Sequence, residues 1–199
     1  MLVHLSALVF LLAAPPAQQQ EVFGIKWCST PQQAVLAGVK LKKDMERTTE
    51  HISIYDAVRL PKGLSGFENY VLIYHKDRCL VKVTAVGTTI DDSADGTHGK
   101  QEFERLENIL AAKYVAAMQA KHIGRKLYEE EDEFYQCLGY EGCGRWIIFL
   151  EGPDRKIMLE LHSAGRSSGY LVFTVESNLW SDVLKESEDS KNSKDAEAL

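Results

Sequence analysis

Two stretches of strict alternation constrain this chain most. Ile157, Leu159 and Leu161 alternate with Met158, Glu160 and His162; further on, Leu171, Phe173 and Val175 alternate with Tyr170, Val172 and Thr174. A period of two sends every second side chain to the same face of a strand. Gly165 to Gly169 separates the two stretches as a turn, and Gly152-Pro153-Asp154 turns the chain just before them. Upstream, Trp146 to Leu150 is apolar at every position, as a strand in the interior of a sheet is. These three segments predict an antiparallel meander with one buried face.

The first part of the chain carries a similar set of signals. Val22 to Trp27 is a short strand-like entry. Ser29-Thr30-Pro31 predicts a helix start, with a hydroxyl cap and proline in the first turn, and Gly38 ends a helix over 31–36. Strands follow at 52–58, at 70–75 and from Cys79 to Ala85. Phe103, Leu106, Leu110, Tyr114 and Met118 recur at helical spacing. They predict a long central helix ending near Gly124, with this stripe in the core. Short helices are expected at 131–137 and at 178–185. Strand runs separated by helices mean an α+β fold with antiparallel sheets. The order permits two helix-plus-three-strand halves, 21–96 and 97–185, within one domain at 18–185. The polar segment 186–199 is expected to be a disordered tail.

Leu5 to Ala14 is apolar apart from Ser6 and leads to Pro15-Pro16-Ala17. This predicts a secretory signal peptide at 1–17. The run is shorter than the roughly 20 apolar residues that span a bilayer. The expected product is periplasmic or secreted, with no integral membrane segment after signal removal. Net charge is −6, with acids concentrated in Glu129–Glu133 and after Ser181. No basic cluster is present, which argues against nucleic acid as a partner. An exported chain with four cysteines is expected to form disulfides. Of the three connectivities, Cys137–Cys143 around a short glycine-containing loop is favoured, together with Cys28–Cys79. A zinc site would need C-x-x-C or suitably spaced histidines, and neither is present.

One loop has calcium-binding spacing. Asp91, Ser93, Asp95 and Glu102 occupy the first, third, fifth and twelfth positions of an EF-hand-like loop, with Gly96 at the turn and the Thr97 carbonyl at the seventh. Against it, a strand rather than a helix precedes the loop, and acid-rich loops also serve simply as helix caps. Calcium is thus the one cofactor the sequence suggests. His51, His75, His98, His122 and His162 are scattered, with no helical pair at metal-protease spacing. His162 and Glu160 share a strand face. Arg166, beside Ser167 and Ser168 in a glycine-flanked turn, is a candidate anion contact. No catalytic constellation is evident.

Phe23-Gly24-Ile25-Lys26-Trp27, followed by Ser29-Thr30-Pro31-Gln32-Gln33-Ala34-Val35, resembles the opening phrase of a group of small exported bacterial proteins. The stretches Gly124–Tyr128, Phe134–Cys137 and Tyr140–Gly144 are similar to that group as well. Residue 28 departs from the pattern, with cysteine where glycine is expected, and this supports an added partner at Cys79. A second resemblance, in opening phrase and element order, is to the helix-plus-meander modules of β-lactamase inhibitory proteins and small outer-membrane assembly proteins. It implies docking through an exposed sheet face. The expectation is a non-enzymatic module that binds an envelope or secreted protein, of inhibitor or immunity type, with Tyr170 and Trp180 as anchors. The alternatives are an envelope small-molecule or calcium-binding protein, and a hydrolase whose acids come from separate elements.

Overall fold

The computed structural model describes residues 21–124 and 127–197. The expected signal peptide and its exit lie outside them. The described chain enters as a tight hairpin, with β1 (Glu21–Val22) paired to β2 (Ile25–Lys26). Thr30 then starts α1 (Pro31–Leu36). Its hydroxyl accepts from the Gln33 N–H at 3.3 Å, and the Gln33 side chain accepts from the Thr30 N–H at 2.8 Å. This reciprocal box satisfies N–H groups that the helix cannot. Gly38, at φ +91, turns the chain out of the helix, as expected.

A first antiparallel meander follows: β3 (Leu41–Asp44), β4 (Ile52–Ala57), β5 (Phe67–His75) and β6 (Cys79–Gly87). A short β7 (Ile90–Asp91) leads to α2 (Thr97–Ala111). Next come β8 (Val115–His122), a 3-10 turn at Glu131–Glu133 and α3 (Phe134–Gly139). A second meander is completed by β9 (Arg145–Glu151), β10 (Arg155–Gly165) and β11 (Ser168–Ser177). Finally α4 covers Trp180–Glu197. Among the described residues the main sheet runs β3-β4-β5-β6-β11-β10-β9-β8, with β7 added beside β11. The fold is α+β and antiparallel, as the alternation predicts. Each half is a helix followed by four strands rather than three. The halves meet where their last strands, β6 and β11, pair, and this leaves β3 and β8 as the outer edges.

The central helix is shorter than its periodicity predicts. The N–H groups of Lys113 and Tyr114 both return to the Leu110 carbonyl at 2.9 Å and close α2. Beyond it the chain is the edge strand β8. Phe103, Leu106 and Leu110 are core, but Met118 is 52% exposed and does not belong to the stripe. Val115 to Ala120 has helical spacing, but the backbone of β9 offers it a ladder, and that tertiary pairing overrides the local preference. The C-terminal segment is also corrected. Helix α4 continues through Glu197 instead of ending in a disordered tail. Glu50 accepts from Ser190 Oγ and Lys194 Nζ, each at 2.8 Å, while His75, His51 and Lys76 surround Glu186. Only Val183 of this helix is buried.

One apolar cluster joins α1, α2, α3 and the inner sheet face, from Ala34 and Leu72 to Phe103, Leu159 and Phe173. Both favoured disulfides are present, Cys28–Cys79 and Cys137–Cys143. They fit folding outside the reducing cytoplasm. Cys28 has φ +55, a left-handed conformation that glycine adopts freely. The residue that departs from the resemblance thus occupies a backbone suited to glycine, and the bond to Cys79 holds it there. Among the described residues no helix is long and apolar enough to cross a membrane.

Candidate functional site: the uncovered sheet face

Alternation along the central strands sorts their side chains into two layers. Val83, Ala85, Ile148, Leu150, Ile157, Leu159, Phe173 and Val175 belong to the core cluster together with the apolar residues of α2. The residues between them point the other way. The register carries one row across the sheet through Val71, Thr84, Thr174, Met158, Phe149 and Met118. The next row runs Val86, Val172, Glu160, Ile147 and Ala120. These side chains form a broad, mostly uncharged layer opposite α2; Ile147 and Thr174 in it are buried, Met118 is exposed and the others are half-buried.

A polar cluster sits near the end of this surface. His162 Nε2 lies 3.1 Å from Glu160, and Arg145 donates to the same carboxylate at 3.4 Å. The His162 ring stacks on Tyr170 with centroids 5.3 Å apart. The His162 hydrogen bond lowers the Glu160 pKa; burial opposes this, and Arg145 adds to it. The shared face expected for Glu160 and His162 is therefore present, and Tyr170 joins it as a half-buried aromatic. Trp180, the other expected anchor, lies at the start of α4 over Lys82, whose ammonium is 4.9 Å from the ring and 2.7 Å from Glu176. Arg166 stays at the β10–β11 hairpin tip, 3.7 Å from Asp132.

In the loop with calcium spacing, the carboxylate that converges is Asp92, which the sequence pattern passes over. Its side chain is fully buried. It accepts from the N–H groups of Ser93 at 2.7 Å, His98 at 3.1 Å and Gly99 at 2.8 Å, and from the Tyr135 hydroxyl at 2.8 Å. Burial raises the pKa of this carboxyl, but the Gly99 and His98 N–H groups, Tyr135 and Ser93 outweigh it and hold it at about 2. Burial, and then the Asp92 contact, pushes the Tyr135 hydroxyl up. Asp92 thereby caps the first turn of α2 and ties it to α3. Gly96, at φ +76, has no room for a side chain, because a Cβ would run into the Phe134 ring.

The predicted ligands have other partners. Asp91 lies in β7 opposite Ser168. Asp95 accepts from Ser93 and from Thr97 Oγ1, the latter at 2.7 Å, and Glu102 pairs with Arg105. Among the described residues no group of three or more His, Cys, Asp or Glu side chains is placed to share a metal ion. The histidines are less scattered than their spacing suggests. His51 and His75 come within 3.3 Å and 2.9 Å of Glu186, a convergence created by α4 and invisible in sequence spacing. No family model, curated protein or solved structure matches the chain.

Proposed function

We propose that this chain is an exported, non-enzymatic binding protein that holds another envelope or secreted protein against the uncovered face of its sheet. The observation that carries this reading is the pair of cross-sheet rows centred on Met158, Val172 and Thr174. Met158 and Val172 offer half-buried apolar side chains there around a buried Thr174, opposite the face that carries α2, flanked by the Tyr170–His162 stack. Aromatic and apolar side chains next to neutralised charges are the usual composition of a docking centre. The duplicated helix-plus-meander order supports the likeness to inhibitory modules. An inhibitor or immunity-type role fits the two disulfides and the rigid sheet.

The test uses the oxidised chain, immobilised against an envelope extract from its own cell. One dominant protein should be retained, then lost with Tyr170→Ala plus Val172→Lys and kept with Arg105→Ala on the far side of α2. Retention that ignores the face substitutions overturns the reading.

A second reading, binding of a small molecule, draws on a cleft of about 430 Å³ lined by Glu21, Lys26, Trp27, Ser29 and Gln33. Its size is within the range of ligand pockets. Saturating ligand would raise the melting temperature through mass action, and Trp27→Ala would abolish that rise. The same thermal measurement with added calcium tests the loop at Asp91–Glu102.

A further inference from the structure

The two edges of the sheet are built differently. At β3, Lys42, Lys43 and Asp44 make up most of a four-residue strand. Lys43 is paired with Asp77 at 2.6 Å, and Asp44 with Arg47 at 2.6 Å. Short, charged edges of this kind resist pairing with other chains. At β8 the first six residues, Val115 to Ala120, carry no charge, and Val115 is 75% exposed. Among the described residues no backbone group outside β9 bonds to this strand. Its lysine does not guard the edge. Lys121 turns back over the Phe103 ring and bonds Glu107 of α2 at 2.5 Å, and Gln119 donates to the same carboxylate at 2.8 Å.

We propose that β8 pairs with β8 of a second copy of this chain, antiparallel, about a two-fold axis through Ala120. The pattern of the strand selects this occupant and register. The bulge at Ala117 interrupts the regular β8–β9 ladder on one side, and Gly124, at φ +75, turns the chain away on the other. The intervening segment, Met118 to His122, is compatible with itself when reversed. Met118 faces His122 of the second copy on the uncovered side of the sheet. Gln119 faces Lys121 of the second copy on the α2 side, and Ala120 faces its own counterpart. No like charges meet. Lys121 of the second copy comes to lie beside Gln119, within reach of the Glu107 carboxylate that Gln119 already bonds. The two Glu107–Lys121 pairs therefore close around the axis with complementary charge. Alanine at the axis lets the backbones approach. A two-fold contact of this kind buries the same patch on both copies and terminates, so the exposed edge is removed without open-ended growth.

Sedimentation velocity on the oxidised full chain, over a dilution series starting at millimolar concentration, tests this. A dimer that dissociates on dilution is expected, and Ala120→Lys, which sets like charges against each other at the axis, should abolish it at an unchanged melting temperature. Ala120→Cys should cross-link two copies under oxidising conditions, while Val115→Cys, outside the Met118–His122 segment that pairs between copies, should not. A wild-type chain that stays monomeric at every concentration overturns the proposal, as does a dimer that survives Ala120→Lys. Should that variant fail to fold, equal cross-linking at 115 and 120 overturns it.

Discussion

The two halves of this molecule share one plan, a helix followed by a four-strand meander, and stabilise it by different means. In the first half α1 has six residues and buries Pro31 and Ala34. In the second, α2 has fifteen and places Phe103, Leu106 and Leu110 in the core. The half with the short helix has the long covalent link, because Cys28–Cys79 spans 51 residues and fastens the segment before α1 to the start of β6. The half with the long helix has a bridge spanning only 6 residues, together with a buried carboxylate that fixes the start of α2 to α3. Where a helix is too short to bury much apolar surface, a cross-link that restricts the unfolded chain can supply the missing stability.

The largest test of that contrast is removal of each bridge as a serine pair. In the chain-entropy view, loss of Cys28–Cys79 should cost about 4 kcal/mol and loss of Cys137–Cys143 about 2 kcal/mol. Urea denaturation under non-reducing conditions measures both, and the reverse order would refute the division of labour between the halves. Asp92 comes next. Its pKa is held at about 2, below the unfolded value, so its contribution is present above roughly pH 4 and is lost as pH falls through the folded value. Asp92→Asn should remove about 2 kcal/mol at neutral pH and flatten the acid limb of the stability curve. An acid limb that keeps its slope would show that other carboxylates dominate it.

The cap of α1 sharpens the comparison from the other side. Thr30→Ala should cost about 1 kcal/mol, less than the Asp92 change, because it releases one exposed N–H rather than a buried carboxylate's partners. Equal effects would mean that the two helix starts are secured to the same degree. The smallest effect is expected at Glu186. Glu186→Gln should leave the global melting temperature unchanged and speed amide exchange within α4. Uniform protection of α4 in the variant would show that Val183 alone holds the helix.

Much of the architecture is legible in the chain. The alternation at 157–161 and 171–175, the Thr30-Pro31 start with Gly38 beyond it, and the favoured disulfide pairs all appear in the structure where the sequence places them. Each of these signals is local, or is limited by the small number of cysteines. The errors share a cause. Residues 115–120 have helical periodicity, and the segment after 185 has the composition of a disordered tail, yet one became an edge strand and the other a helix. In both cases distant groups decided the outcome: the backbone of β9 for the first, and Glu50 with the His51, His75 and Lys76 cluster for the second.

The candidate site follows the same division. That Glu160 and His162 would share a strand face was determined by the sequence, because a period of two requires only a strand; Tyr170 joins them through the pairing of β10 with β11. Which face stays uncovered, and which carboxylate of Asp91–Glu102 is buried, was decided by tertiary structure. Asp92 is selected because it alone lies where the first N–H groups of α2 and the Tyr135 hydroxyl converge. Helices α2 and α3 attach on the core side of β10, and on the opposite face α4 reaches only the margin, at Lys82 and His75, leaving the part around Met158 and Val172 without a helix. The chain's local pattern states what each segment can form. The competition among segments for backbone partners and buried surface, which no single window contains, settles what each one does form.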